Sequence, residues 1–171
     1  MVEQPFSLHG PRGVVPGLLW TAESTTVRRP LVLLGHGGSG HKRAARIVEL
    51  GRWFVAERGI AAAAIDGPYH GDRVPAPLSV SEYQRRITAE GPDAVVDRMV
   101  VDWQAVVDEF RDDGLIGSVG YVGMSMGARF GLPFAAATCS LLRCGVFGKF
   151  GLDQAGLPCG MEMRERIQTD A

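Results

Sequence analysis

Apolar positions along the chain follow two rhythms. The stretches 6–9 and 14–22 flank Gly10, Pro11 and Gly13, a spacing that predicts a β-hairpin or two neighbouring strands. Residues 31–34 are a short, continuously apolar run that meets a glycine cluster at once. Unbroken apolarity with turn residues behind it predicts a parallel strand buried on both faces. Residues 60–65, 119–123 and 141–147 read the same way. Between these runs the apolar residues recur every three or four positions, the period of a helix with one buried face. Ala44, Ile47, Val48, Leu50 and the segment 53–55 form one such set, closed by Gly59. Val96, Met99, Val100, Trp103, Val106, Val107 and Phe110 form a second, with Asp93 as its cap and Gly114 as its stop. A third helix is predicted over 128–137.

The polar segment 24–30 suits a turn. Residues 69–92 are polar, carry Pro75 and Pro77, and hold a short amphipathic piece near 83–87. Past residue 150 the pattern fades into a loop-like stretch, 151–160, and a short charged helix at 161–168. Strands alternating with helices in this order predict an α/β fold with a mostly parallel, doubly wound sheet. No repeat or linker divides the chain, so residues 1–171 read as a single domain.

Composition narrows the picture. Of the residues, 46% are hydrophobic and 22% charged, ordinary values for a soluble globular protein. The 23 glycines favour a fold with tight turns and close backbone approaches over a plain helical bundle. A net charge of −1 with scattered Lys and Arg supplies no basic patch, so neither nucleic acid nor a membrane surface is an expected partner. No apolar run has the 18 or so residues of a membrane span, and the first ten residues lack a signal pattern. A cytoplasmic location is expected. Cys139, Cys144 and Cys159 are odd in number and form no C-x-x-C pair, so they read as packed or surface thiols.

The chemistry concentrates after the strand at 119–123. Gly123-Met124-Ser125-Met126-Gly127 matches G-x-S-x-G, in which a serine sits on a sharp turn from strand to helix. The turn strains the serine backbone, and side chains two residues to either side would collide with neighbouring strands. It lifts the Ser125 oxygen above the strand ends and aims the Met126 N–H at the same place, at the start of a helix whose dipole favours negative charge. One strand earlier stands His36-Gly37-Gly38-Ser39-Gly40. Acyl transfer needs two N–H donors aimed at the oxyanion, and Gly38 is the second candidate beside Met126. His36 is expected to turn inward and brace this loop on backbone groups.

With 34–40 (Leu34-Gly35-His36-Gly37-Gly38-Ser39-Gly40), 66–73 (Asp66-Gly67-Pro68-Tyr69-His70-Gly71-Asp72-Arg73) and 123–127 in that order, the chain resembles the α/β-hydrolase superfamily. Within it the set resembles the dienelactone-hydrolase-like and small serine esterase branches. The resemblance covers roughly residues 5–150. It implies a serine hydrolase acting on small-molecule carboxylic esters or related acyl compounds, with no cofactor and no metal. Ser125 would be the catalytic nucleophile, Gly38 and Met126 the oxyanion hole, and His36, Ser39, Tyr69 and Met124 the substrate-binding residues. The loop from Tyr69 onward would overhang the serine, with Asp72 and Arg73 as an ion pair lining the cleft.

One part of the family pattern is missing. Its triad runs Ser, Asp or Glu, then His, whereas His9, His36, His41 and His70 all precede Ser125. Only 46 residues follow the serine, and each further strand-helix-strand unit takes about 30. Asp153 could serve as an acid but has no histidine to orient. The expectation is therefore a C-terminally truncated fold of six strands with the final strands absent, weak or inactive as a hydrolase. It is either a fragment of a longer hydrolase or a shortened protein that has lost catalysis; a histidine supplied by a second subunit is the third alternative. The last strand would then be an open sheet edge, a site for self-association.

Three other readings stand beside this one. A metal hydrolase could be drawn with His70, Asp72 and Asp66 as ligands near the strand ends. The chain could be a non-catalytic binding or assembly module. Gly35 to Lys42 also approaches the phosphate-binding pattern G-x-x-x-x-G-K-[ST], although His41 intervenes before Lys42 and Arg43 takes the hydroxyl position.

Overall fold

The computed structural model describes residues 1–10, 12–23, 28–112, 114 and 116–148. The expectations for 24–27, for 151–160 and 161–168, and for Asp153 and Cys159 lie outside them.

Among the described residues, six strands form one sheet in the order β1-β2-β4-β3-β5-β6. β1 (Val2–Gly10) and β2 (Gly13–Thr21) are the expected hairpin, antiparallel from Val2 opposite Thr21 to Gly10 opposite Gly13. β2 continues antiparallel onto β4 (Ala61–Ile65). β3 (Arg29–Gly35) lies parallel between β4 and β5 (Ile116–Met124), and β6 (Leu142–Gly148) closes the sheet parallel to β5. The sheet is thus mostly parallel. Arg29 and Pro30, expected in a turn, are the first residues of β3.

Both faces are covered, which is why 31–34 of β3 and 61–65 of β4 are apolar at every position. Alternate residues go to opposite sides. Leu31, Leu33, Ala61, Ala63 and Ile65 join a core with the helices α3 (Pro92–Asp112) and α4 (Met126–Ala137). Val32, Leu34, Ala62 and Ala64 join a smaller one under α1 (Ala45–Arg58). The predicted apolar face of α3 is buried throughout, from Val96 to Phe110. Asp93 lies in its first turn instead of at the cap, because Pro92, with its preset φ, already opens the helix. α1 ends at Gly59 in the left-handed conformation, φ 62°. α2 (Val80–Glu90) extends the amphipathic piece near 83–87, capped where Ser79 accepts a hydrogen bond from the Glu82 N–H.

Candidate active site

The turn from β5 into α4 carries Ser125 at φ 54° and ψ −118°, outside the regions favourable for residues with a side chain. Ser125 is exposed, and its N–H is held by the Gly148 carbonyl of β6 at 2.8 Å. Glycines flank it for a steric reason. A Cβ on Gly127 would stand 2.3 Å from the Gly35 carbonyl oxygen, and one on Gly123 would stand 2.6 Å from Gly127 backbone. The helix therefore starts directly against the end of β3, and its first N–H groups, Met126 included, have no carbonyl of their own helix to bind.

The same contact brings the loop after β3 to the serine. A side chain on Gly38 would meet Met126 at 3.9 Å, so the two expected oxyanion donors are neighbours. The loop is shaped by Gly40 N–H on Gly37 O at 2.9 Å. His36 is 3% exposed. Its Nδ1 donates to Gly37 O at 2.8 Å and its Nε2 accepts from the Gly67 N–H at 2.8 Å, the pattern of a neutral ring protonated at Nδ1. Burial pushes its pKa down to about 4. His36 was expected both to brace the loop and to meet substrate; with both nitrogens on backbone, it reaches substrate only through the loop.

The loop after β4 is tied to this one by charge. Asp66, fully buried, accepts the backbone N–H of Lys42 and that of Asp72, each at 2.8 Å. The buried Lys42 ammonium reaches Asp66 at 2.5 Å and Asp72 at 2.6 Å, and it holds the Asp72 carboxyl below the ordinary carboxylate range. Two expectations change here. Lys42 is committed to carboxylates, which removes the cation that a phosphate loop needs. Asp72 and Arg73 do not pair: Asp72 takes Lys42, and Arg73 crosses to Asp102 of α3 at 2.7 Å. Adjacent residues on a 3-10 turn (Gly71–Arg73) point apart, so each finds a partner in a different element.

Tyr69, also at positive φ (63°), turns the chain so that its hydroxyl donates to Glu90, while Arg98 lies over its ring at 5.2 Å and pairs with Glu90 at 3.0 Å. Tyr83 of α2 points its hydroxyl at the Met126 sulfur, 3.2 Å away, and burial pushes its pKa up to about 12. A cleft of about 860 Å³ is walled by Gly38, Ser39, Tyr69, His70, Leu78 and Tyr83. Ser39 and Tyr69 thus share a cleft wall. Met124, expected there too, faces the other way, its sulfur over Gly148 of β6. Ser125 is not in the cleft wall and adjoins it through Met126.

Sequence reasoning did not place Asp66, His70 and Tyr83 in this arrangement: it drew Asp66 and His70 only as metal ligands with Asp72, whereas Asp66 and Asp72 are taken by Lys42 and His70 by two carbonyl oxygens. A signal existed for the first: an aspartate directly after an all-apolar strand is placed for burial and needs a partner. Nothing local marks the other two, because their partners lie 32 and 43 residues away.

Comparison with solved structures agrees with the fold. A cold-adapted esterase from an Arctic intertidal metagenomic library, in a PEG-bound complex, matches at 31% identity over 98% of this chain and 67% of its own, with a TM-score of 0.78. A thermostable carboxyl esterase from Bacillus coagulans (18% identity, TM-score 0.60, 86% of this chain and 44% of its own) shares the fold. So does an epoxide hydrolase from Vigna radiata (21%, TM-score 0.57, 85% and 38%). No family model and no curated protein matches. The chain belongs to the α/β-hydrolase superfamily, and it spans about two thirds of the length of the Arctic esterase structures. Among the described residues, no helix is long and apolar enough to cross a membrane.

Proposed function

We propose that this chain carries the nucleophile and oxyanion half of a carboxylic ester hydrolase, with Ser125 attacking the acyl carbon. The observation that carries this reading is the strained Ser125 at the head of α4, with Gly38 in van der Waals range of Met126. In the reaction, Ser125 Oγ would add to the ester carbonyl while the Gly38 and Met126 N–H groups receive the developing oxyanion. Collapse expels the alcohol and leaves an acyl-serine, which water then hydrolyses. The cleft beside Gly38, walled by Tyr69, Tyr83, Leu78 and Pro77 with Ser39 and His70 among them, suits the acyl or alcohol portion of a small ester. The 31% identity to an esterase supports the ester class.

The base is the weak point of this chain. His36 and His70 have every ring nitrogen on backbone, and no histidine follows Ser125. Without an imidazole, the oxyanion hole and binding alone give about 10³ to 10⁴ over the uncatalysed rate. The same commitment of both histidines favours, as the second reading, a non-catalytic binding or assembly module. A fluorophosphonate probe followed by peptide mass spectrometry separates the two. Slow adduct formation on Ser125, absent in Ser125→Ala, supports the hydrolase reading; labelling no different from that of surface serines supports the module.

A further inference from the structure

His36 and His70 have ring centroids 5.3 Å apart, yet they bond in unlike ways. His36 donates from one nitrogen and accepts on the other. His70 faces two carbonyl oxygens, Pro68 O at 2.8 Å from Nδ1 and Gly38 O at 2.8 Å from Nε2. A carbonyl oxygen only accepts, so both contacts are hydrogen bonds only while both ring nitrogens carry protons. A neutral ring would turn a lone pair toward one of the two oxygens. We propose that His70 is a positioning residue of the Gly38 loop, acting as an imidazolium that ties the Gly38 carbonyl to the Pro68 carbonyl. The inference rests on the reading of Gly38 as an oxyanion donor.

The effect follows from peptide geometry. Carbonyl and N–H of one peptide unit point in opposite directions. His36 and the Gly40 N–H hold Gly37 O, and so set the plane that carries the Gly38 N–H. His70 holds Gly38 O, and so sets the next plane. Gly38 is thereby fixed on both sides, where a glycine otherwise has the widest choice of φ and ψ. Holding an oxyanion donor in place before the charge develops is what makes it effective.

The surroundings suit a cation. The His70 ring packs edge-on against Tyr83 of α2, centroids 4.8 Å apart, and against His36 from the end of β3. Its own loop supplies Asp66 and Asp72, two carboxylates that share the single Lys42 ammonium. His41 and Arg43, leading into α1, are exposed on the cleft wall, where water screens them. Arg73 is turned away to Asp102. Tyr69, directly before His70, holds the left-handed backbone that folds this segment back over the Gly38 loop.

The test is NMR of the histidine rings and loop carbonyls of the 171-residue chain, titrated between about pH 5.5 and 8.5, across the range where imidazoles change charge. The expected result is that the Gly38 and Pro68 carbonyl ¹³C signals move with the same midpoint as both ring nitrogens of His70. In His70→Phe, which keeps a ring against Tyr83 but has no donors, those carbonyls should not respond to pH. The Gly40 amide should then exchange about tenfold faster, the worth of one charge-assisted hydrogen bond. Carbonyl signals that ignore the His70 titration overturn the proposal even if the variant does not fold, and so does unchanged Gly40 exchange in a folded variant. An aryl boronic acid reports on Ser125 separately. If it moves neither the Gly38 nor the Met126 amide while the carbonyl coupling stands, the oxyanion reading fails, and the positioning role with it, but the two-carbonyl bridge remains.

Discussion

The Lys42 ammonium lies 2.5 Å from the Asp66 carboxylate, with both side chains out of solvent at 2% and 0% exposure. The pair joins the loop after β3 to the loop after β4, the two segments whose glycines, Gly38 and Gly67, approach the Met126 side chain. Lys42→Met leaves the Asp66 charge buried and short of its partner, at an expected loss of about 3–5 kcal/mol in urea unfolding. Adding Asp66→Asn to that variant should recover part of the loss, since the penalty comes from the orphaned charge. A loss below about 1 kcal/mol in Lys42→Met would show that Asp72 and water compensate.

Strain at the serine gives a second expectation. Ser125 holds φ 54° and ψ −118° without a glycine's freedom. Ser125→Gly removes strain on the order of 1–3 kcal/mol and adds about 0.5–1 kcal/mol of unfolded-chain entropy. The variant should melt higher than the parent by the equivalent of about 1 kcal/mol; a lower melting point would mean that the turn is not strained.

Gly127→Ala should act in the opposite direction. Its Cβ would stand 2.3 Å from the Gly35 carbonyl, which is backbone in a central strand and cannot rotate away. A destabilisation of about 1–3 kcal/mol is expected, with slower phosphonylation of Ser125 as the head of α4 shifts. Normal stability in the variant would disprove the close approach of α4 to β3.

Acid should weaken the fold through His36. Burial depresses its folded pKa to about 4 from an ordinary value of about 6.5, so between these pH values the unfolded chain binds the proton and the folded chain does not. Stability is complete above about pH 6.5 and falls toward pH 4, by on the order of 3 kcal/mol from this group. Urea midpoints across that window should slope less steeply in His36→Gln than in the parent. Equal slopes would place the acid sensitivity elsewhere.

The open edge gives a prediction about assembly. Among the described residues β6 is the outermost strand, hydrogen-bonded to β5 on one side, with Val146 58% exposed. An edge strand with an exposed apolar side chain such as Val146 can pair with another copy, and a lysine there opposes it. Sedimentation should show concentration-dependent association of the parent and less of it in Val146→Lys. A parent that stays monomeric at high concentration would remove the edge as a contact.

The alternation of apolar runs and helical periods determined by itself the elements and the fold class, because both depend on which residues a strand or helix must bury. It also located the turn at Ser125, since a strand, a serine between spaced glycines and a helix are contiguous in the chain. Gly38 could be matched to Met126 for a related reason: β3 and β5 had to be neighbours for their loops to meet. Only the tertiary structure decided what the charges do. Lys42 looked like part of a phosphate loop, yet it is neutralised by carboxylates 24 and 30 residues away; Asp72 and Arg73 looked like a pair, yet they separate onto Lys42 and Asp102. His70 shows the same dependence, because its bridge to Gly38 exists only once two loops from different strands close on each other. Hydrophobic period is a local property written in consecutive residues. The partner of a buried charge or imidazole is set by how separate loops pack, and no spacing along the chain records it.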